Sequence, residues 1–138
     1  MQKAALFFGV VFLLVGIAGF VPGITTDYDR LTTFDDAGGT LLGVFGVNIL
    51  ENAVHLLFGV AGLLLASSWA GAKDFFVWGG LIYVALSIYG LIIDLDTGAN
   101  VLGLNAATNW LHFLGGVAMV AVAYLLSRRG EREPLATA

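Results

Sequence analysis

Asn48, Glu51, Asn52 and His55 place four strongly polar side chains inside a long apolar run that continues to Gly59. Asn105, Asn109, His112 and Gly116 repeat Asn48, Asn52, His55 and Gly59 at a constant offset of 57 residues. Both histidines of the protein lie in this repeat. Steps of three and four residues keep side chains on one face of a helix. One stripe therefore reads Asn48, Asn52, His55, Gly59, Gly62, Ala66, and the other Asn105, Asn109, His112, Gly116, Met119, Ala123. Each stripe is polar in its first half and mostly small in its second.

Several chemistries suit these residue types. The plainest is interhelical hydrogen bonding, with Asn52 facing His112 and Asn109 facing His55; such bonds contribute about 0.6–2 kcal/mol each in a membrane and fix register. In a second reading the histidines are ligands. His55, His112 and Glu51 offer an N,N,O donor set for a metal, with Asn52 or Asn109 behind it, although no dedicated ligand spacing is present. Two histidines at equal depth also suit a haem or a chlorophyll-type tetrapyrrole. Against a macrocycle between the helices, Gly59, Gly62 and Gly116 favour helix packing at the close end of about 8–10 Å. A third reading is a proton or ion pathway, since an ionisable residue within a membrane is a functional candidate by default. The polar groups occupy only one half of each stripe, which leaves the other half without a proton carrier. Glu51 also suits a helix N-terminus, where a carboxylate answers the dipole.

The elements that must hold these residues follow from composition. The chain has 138 residues, 59% hydrophobic and 12% charged, with a mean hydropathy of +0.91. Soluble domains carry about 25% charged residues, so this chain belongs in a bilayer as a single domain. Four segments approach the roughly 20 apolar residues that a membrane-spanning helix needs: residues 4–21, 48–70, 75–93 and 105–127. The fold class expected is an all-α integral membrane four-helix bundle. Asn48 with Glu51 three residues on makes a capping box, so the second helix is expected to start there. Residues 41–47 then form an interfacial or re-entrant piece; the alternative is one long tilted helix from Leu41. Residues 23–47 form a long acidic external loop, and residues 130–138 a disordered tail.

Lys3, Lys73, Arg128, Arg129 and Arg132 fall on one side of these spans, against Arg30 alone on the other. That bias puts both termini in the cytoplasm. The N-terminal run resembles a signal peptide but ends in Phe20-Val21-Pro22-Gly23 without a small-residue cleavage site, and a retained helix is expected. Gly9, Phe12, Gly16 and Gly19 match Gly80, Tyr83, Ser87 and Gly90 at an offset of 71. Helix one thus resembles helix three, and helix two resembles helix four. Two like-oriented hairpin repeats follow, related by an axis along the membrane normal. Helices two and four are expected to meet near that axis, and exposed glycine faces on helices one and three could serve lateral partners, protein or lipid.

Other features carry less. The chain lacks cysteine, which removes disulfides and thiolate ligands. A net charge of −4 argues against nucleic acid. Asp96-Thr97-Gly98 matches an aspartic-protease triplet, but it ends a helix and has no second copy. Asp27, Asp29, Asp35 and Asp36 lack the spacing of a calcium loop. No nucleophile–base constellation is present, and no enzymatic activity is expected.

The segment L-L-G-V-F-G-V-N-I-L-E-N-A-V-H-L-L-F-G-V-A-G-L from Leu41 to Leu63, with N-A-A-T-N-W-L-H from Asn105 to His112, resembles an uncharacterised family of small bacterial four-helix membrane proteins, known only as a domain of unknown function. The resemblance spans nearly the whole chain, and the paired N-x-x-x-N-x-x-H motifs are its most specific part. It implies four helices and a bacterial inner membrane, and no reaction. The function expected is that of a small membrane subunit or scaffold, an accessory to a larger complex. Its partners would be lipid and other membrane subunits.

Overall fold

A computed structural model describes residues 1–34 and 38–132; of residues 129–132 it describes the backbone alone. Four helices dominate: α1 (Gln2–Ala18), α2 (Ile49–Leu65), α3 (Trp69–Ile92) and α4 (Ala106–Arg132). Between α1 and α2 lie three short strands, β1 (Thr25–Thr26), β2 (Gly39–Leu41) and β3 (Phe45–Val47), with a 3-10 turn at Tyr28–Arg30. Two of the helices, α3 and α4, are long and apolar enough to cross a membrane; α1 and α2 are apolar but only 17 residues each.

Local chemistry explains the boundaries. The side chain of Asn48 accepts from the Glu51 amide at 2.8 Å, so α2 starts behind an Asn cap. The capping box is not completed, because the Glu51 carboxylate turns inward to the histidines instead. Helix α2 ends at Leu65 rather than residue 70. Ser68 caps α3 by accepting from Gly71 at 3.0 Å, and α3 begins at Trp69 instead of residue 75. The charged pair Lys73-Asp74 marks the first turns of a helix, not the loop before it. Helix α1 stops at Ala18, short of the expected residue 21, ahead of Pro22 and a left-handed Gly23 (φ +89°). At the other end of the chain α4 continues to Arg132, so residues 130–132 of the expected tail are helical; residues 133–138 lie outside the described residues.

The largest departure concerns residues 23–47. They hold an antiparallel sheet of order β1-β2-β3, with Thr25 opposite Leu41 and Thr40 opposite Gly46. Residues 41–47 therefore lie outside α2 as expected from the Asn48 cap, in a hairpin, and are not the start of one long helix. Leu42 and Gly43, at φ +54° and +70°, turn the chain between β2 and β3. Strands this short show no alternating pattern over four or more residues, which is the signal sequence reading relies on. Of the acidic residues assigned to this loop, Asp35 and Asp36 lie outside the described residues.

The helices pack as two hairpins, α1 on α2 and α3 on α4, joined chiefly where α3 meets α2 and α1. Backbones approach closely within each hairpin. A Cβ on Gly9 would sit 2.9 Å from the Leu63 nitrogen and 3.1 Å from the Gly59 oxygen, and one on Gly80 would sit 2.8 Å from the Gly116 oxygen. A Cβ on Gly59 would meet the Leu13 nitrogen at 2.8 Å, and one on Gly116 the Val84 nitrogen at 2.9 Å. Gly62 faces Gly9 in the same way. The glycines thus close α1 onto α2 and α3 onto α4, not α2 onto α4. Gly9, Gly16, Gly80 and Gly90 are buried by this packing, so the glycine faces of α1 and α3 are not free for partners. Toward the α2–α3 turn the core is apolar, built on Phe75, Phe76, Met119 and Ala123.

A buried Glu-His-His candidate site

The polar residues gather at the end of the bundle nearest the sheet. Glu51 projects from the first turn of α2, and His55 stands one turn on. His112 enters from α4. Glu51 Oε1 lies 3.0 Å from His112 Nε2 and 3.5 Å from His55 Nδ1. All three residues are buried, Glu51 and His112 to 1% exposure and His55 to 6%. Their donor atoms, one from each residue, fall within 4.8 Å of one another.

Hydrogen bonding fixes part of this chemistry. His55 Nδ1 donates to the Glu51 carbonyl at 2.9 Å. A carbonyl only accepts, so Nδ1 carries the proton and the neutral ring keeps a lone pair on Nε2. Other polar atoms find no protein hydrogen-bond partner: both carboxylate oxygens of Glu51, both ring nitrogens of His112, the side-chain nitrogen and oxygen of Asn52, Asn109 Oδ1 and the Tyr83 hydroxyl. The 3.0 Å approach of Glu51 to His112 is thus a close contact without hydrogen-bond alignment. More than 90% of buried polar groups are ordinarily paired, and each exception costs about 1–3 kcal/mol. Of these atoms, the Glu51 carboxylate and the His112 ring lie against each other.

The amides behind the triad sit in glycine recesses. A Cβ on Gly19 would strike the Asn52 side chain, and one on Gly90 would strike that of Asn109. Neither asparagine reaches a histidine. The expected pairs Asn52–His112 and Asn109–His55 do not form; Glu51 occupies the place between the rings. Helices α2 and α4 meet here through side chains, with the imidazole centroids 6.3 Å apart.

An aromatic wall closes the site on its α2–α3 turn side. Tyr83 meets His112 edge-on with centroids 4.8 Å apart and lies 6.3 Å from His55. Phe12 lies 6.0 Å from His55 and 5.4 Å from Tyr83, and Phe58 5.2 Å from Tyr83. A macrocycle between the two histidines would have to displace Glu51 from between the rings. Beyond the wall, among the described residues, no buried polar side chain continues toward the α2–α3 turn. A relay of side chains across the bundle has no second half.

The opposite side is closed by backbone. Asn48 Nδ2 donates to the Val101 carbonyl at 2.9 Å, tying α2 to the α3–α4 loop. Asn105 caps α4 by accepting from the Thr108 amide at 2.9 Å, and its amide nitrogen donates to the Val44 carbonyl at 2.9 Å. The Thr108 hydroxyl donates to the Gly46 carbonyl at 3.0 Å. Asn48 and Asn105 are thus builders of the lid, and not of the site itself. Asn100 shapes the loop by bonding Leu95 and Leu104. Sequence reading missed Tyr83 and Asn100 as parts of this end. The match of Tyr83 with Phe12 was the available signal, since only one of the pair carries a hydroxyl.

No curated protein and no solved structure matches this chain. One family model does, over residues 2–125, which include every residue of the triad and both asparagine pairs. The chain belongs to the family described as Domain of unknown function (DUF4383).

Proposed function

We propose that the protein is a small multi-pass membrane protein of the bacterial inner membrane, a non-enzymatic subunit whose business is binding at the Glu51–His55–His112 site. The observation that carries this reading is an inverted polarity. Among the described residues the buried positions include Asn48, Glu51, Asn52, His55, Asn109 and His112, while Leu6, Phe7, Leu14, Leu57, Leu64, Trp78, Leu91 and Ile92 are exposed. Isolated exposed leucines are ordinary, but buried polar groups beneath a continuous apolar surface are informative. In lipid that arrangement lowers the free energy on both counts.

All four helices belong to the span in this reading. The 17 residues of α1 and α2 rise about 26 Å at 1.5 Å each, somewhat less than the roughly 30 Å hydrocarbon core. Flanking segments and local thinning make up such a mismatch at modest cost. The duplication is supported by equivalent contacts. Gly19 meets Asn52 as Gly90 meets Asn109, and Gly59 meets Leu13 as Gly116 meets Val84. Partners in the first helix of each hairpin differ by 71 residues and those in the second by 57. Two like-oriented hairpins follow. The positive charges at Lys3, Lys73 and Arg128 then face the cytoplasm with both termini, and the sheet faces outward.

Alkaline carbonate extraction of membranes from expressing bacteria tests the reading. The full-length chain should stay in the pellet and be released by detergent alone. Release by carbonate would refute the multi-pass assignment.

A further inference from the structure

We infer that Glu51, His55 and His112 form a binding site for one divalent first-row transition metal of the zinc class. The inference rests on the reading of this cluster as the protein's binding site and adds the ligand.

The donor set is the first argument. Two imidazoles and one carboxylate suit zinc and its first-row neighbours better than magnesium or calcium, which require oxygen-rich shells. Tetrahedral zinc with bonds of about 2.0–2.2 Å separates its donors by about 3.3 Å. Glu51 Oε1 and His112 Nε2 are already 3.0 Å apart, and the whole triad lies within 4.8 Å.

Orientation is the second. A ligating histidine ordinarily donates its other N–H to a carbonyl or carboxylate, which fixes the tautomer. His55 does so with the Glu51 carbonyl, leaving Nε2 as its donor atom. The third argument is the orphaned polarity. Glu51 and His112 are almost wholly buried, yet neither the carboxylate oxygens nor the ring nitrogens have a protein hydrogen-bond partner. A metal takes the lone pairs of both residues at once, which a proton shared between two of them does not. Three protein donors leave one coordination position open. The Tyr83 ring packs edge-on against His112, and its buried hydroxyl also has no protein hydrogen-bond partner.

The test uses the full chain purified in mild detergent. Elemental analysis after zinc reconstitution and desalting should give one zinc per chain. Cobalt loading should give the visible d–d bands of a tetrahedral site. Glu51→Gln and His112→Gln should each weaken zinc binding on the order of 100-fold or more, with helix content by circular dichroism unchanged. His112→Cys guards against a variant that merely misfolds. The native chain has no cysteine, so a thiolate-to-cobalt charge-transfer band in this variant would place residue 112 on the metal. Less than 0.1 zinc per chain in folded wild-type protein would overturn the inference, as would full zinc binding by both glutamine variants. The carbonate extraction separates the two claims: a membrane-embedded chain without metal loses only the metal site, whereas a chain released by carbonate loses the membrane reading.

Discussion

At the scale of the residue, Glu51 decides the character of this protein. At the offset of 57 residues Thr108 stands opposite it, so the carboxylate has no counterpart in the second stripe. Thr108 turns to the sheet and bonds Gly46, while Glu51 turns between the histidines. Removing the carboxylate should therefore cost more than removing a typical helix-end acid. In chelator-treated protein, Glu51→Ala should lower unfolding stability in detergent by about 1–3 kcal/mol, because it removes the 3.0 Å carboxylate contact of the buried His112 and leaves a void between the rings, while His55 keeps its bond to the residue-51 carbonyl. Glu51→Gln keeps shape and one acceptor and should lose less than half of that. An alanine variant as stable as wild type would place the carboxylate outside the cluster's energetics. This residue also shows where sequence reading stops. The types, the stripe and the offset of 57 were all legible, and they brought Glu51, His55 and His112 together as a donor set. Which polar group faces which was not. Hydrogen-bond pairing depends on rotamers and helix rotation that periodicity leaves free, and symmetry suggested asparagine–histidine pairs that a carboxylate displaces.

At the scale of the element, glycine sets the distances. Gly116 is packed so that a Cβ would meet the Gly80 oxygen at 2.7 Å and the Val84 nitrogen at 2.9 Å. Both are backbone atoms and cannot swing aside. Its neighbour Gly115 has only Tyr83 near its would-be Cβ, at 3.8 Å. Gly116→Ala should thus destabilise the α3–α4 hairpin by about 1–3 kcal/mol through overpacking. Gly115→Ala should be neutral or slightly stabilising, since alanine is the better helix former. Unfolding of both variants in mixed micelles checks the pair, and equal effects would contradict the packing described. The glycines themselves were visible in the sequence, but their partners were not. A small-residue stripe specifies close approach without naming the helix that approaches. The same limit applies to the sheet: β1 to β3 run only two or three residues each and are fixed by long-range bonds such as Asn105 to Val44. Ser68 has glycine and not Glu or Gln three residues on, so its cap carries no capping-box signal and Lys73 and Asp74 read as loop.

The whole molecule joins exposed apolar helix faces, two helical hairpins and one buried polar site near a sheet-covered end. The helix count was legible in the hydropathy of the chain. Lengths were less so, because 17-residue helices with apolar flanks look longer in sequence than they are. The central claim is that the exposed apolar faces meet lipid and that the sheet and the α2–α3 turn lie on opposite sides. Cysteine accessibility tests it directly, since the native chain has no cysteine. In intact spheroplasts a membrane-impermeant maleimide should label Asp29→Cys. It should label Ser67→Cys only after permeabilisation, and leave Leu57→Cys and Leu91→Cys unreactive in both states. Rapid aqueous labelling of Leu57→Cys and Leu91→Cys, or labelling of Asp29→Cys and Ser67→Cys from the same side, would contradict the account.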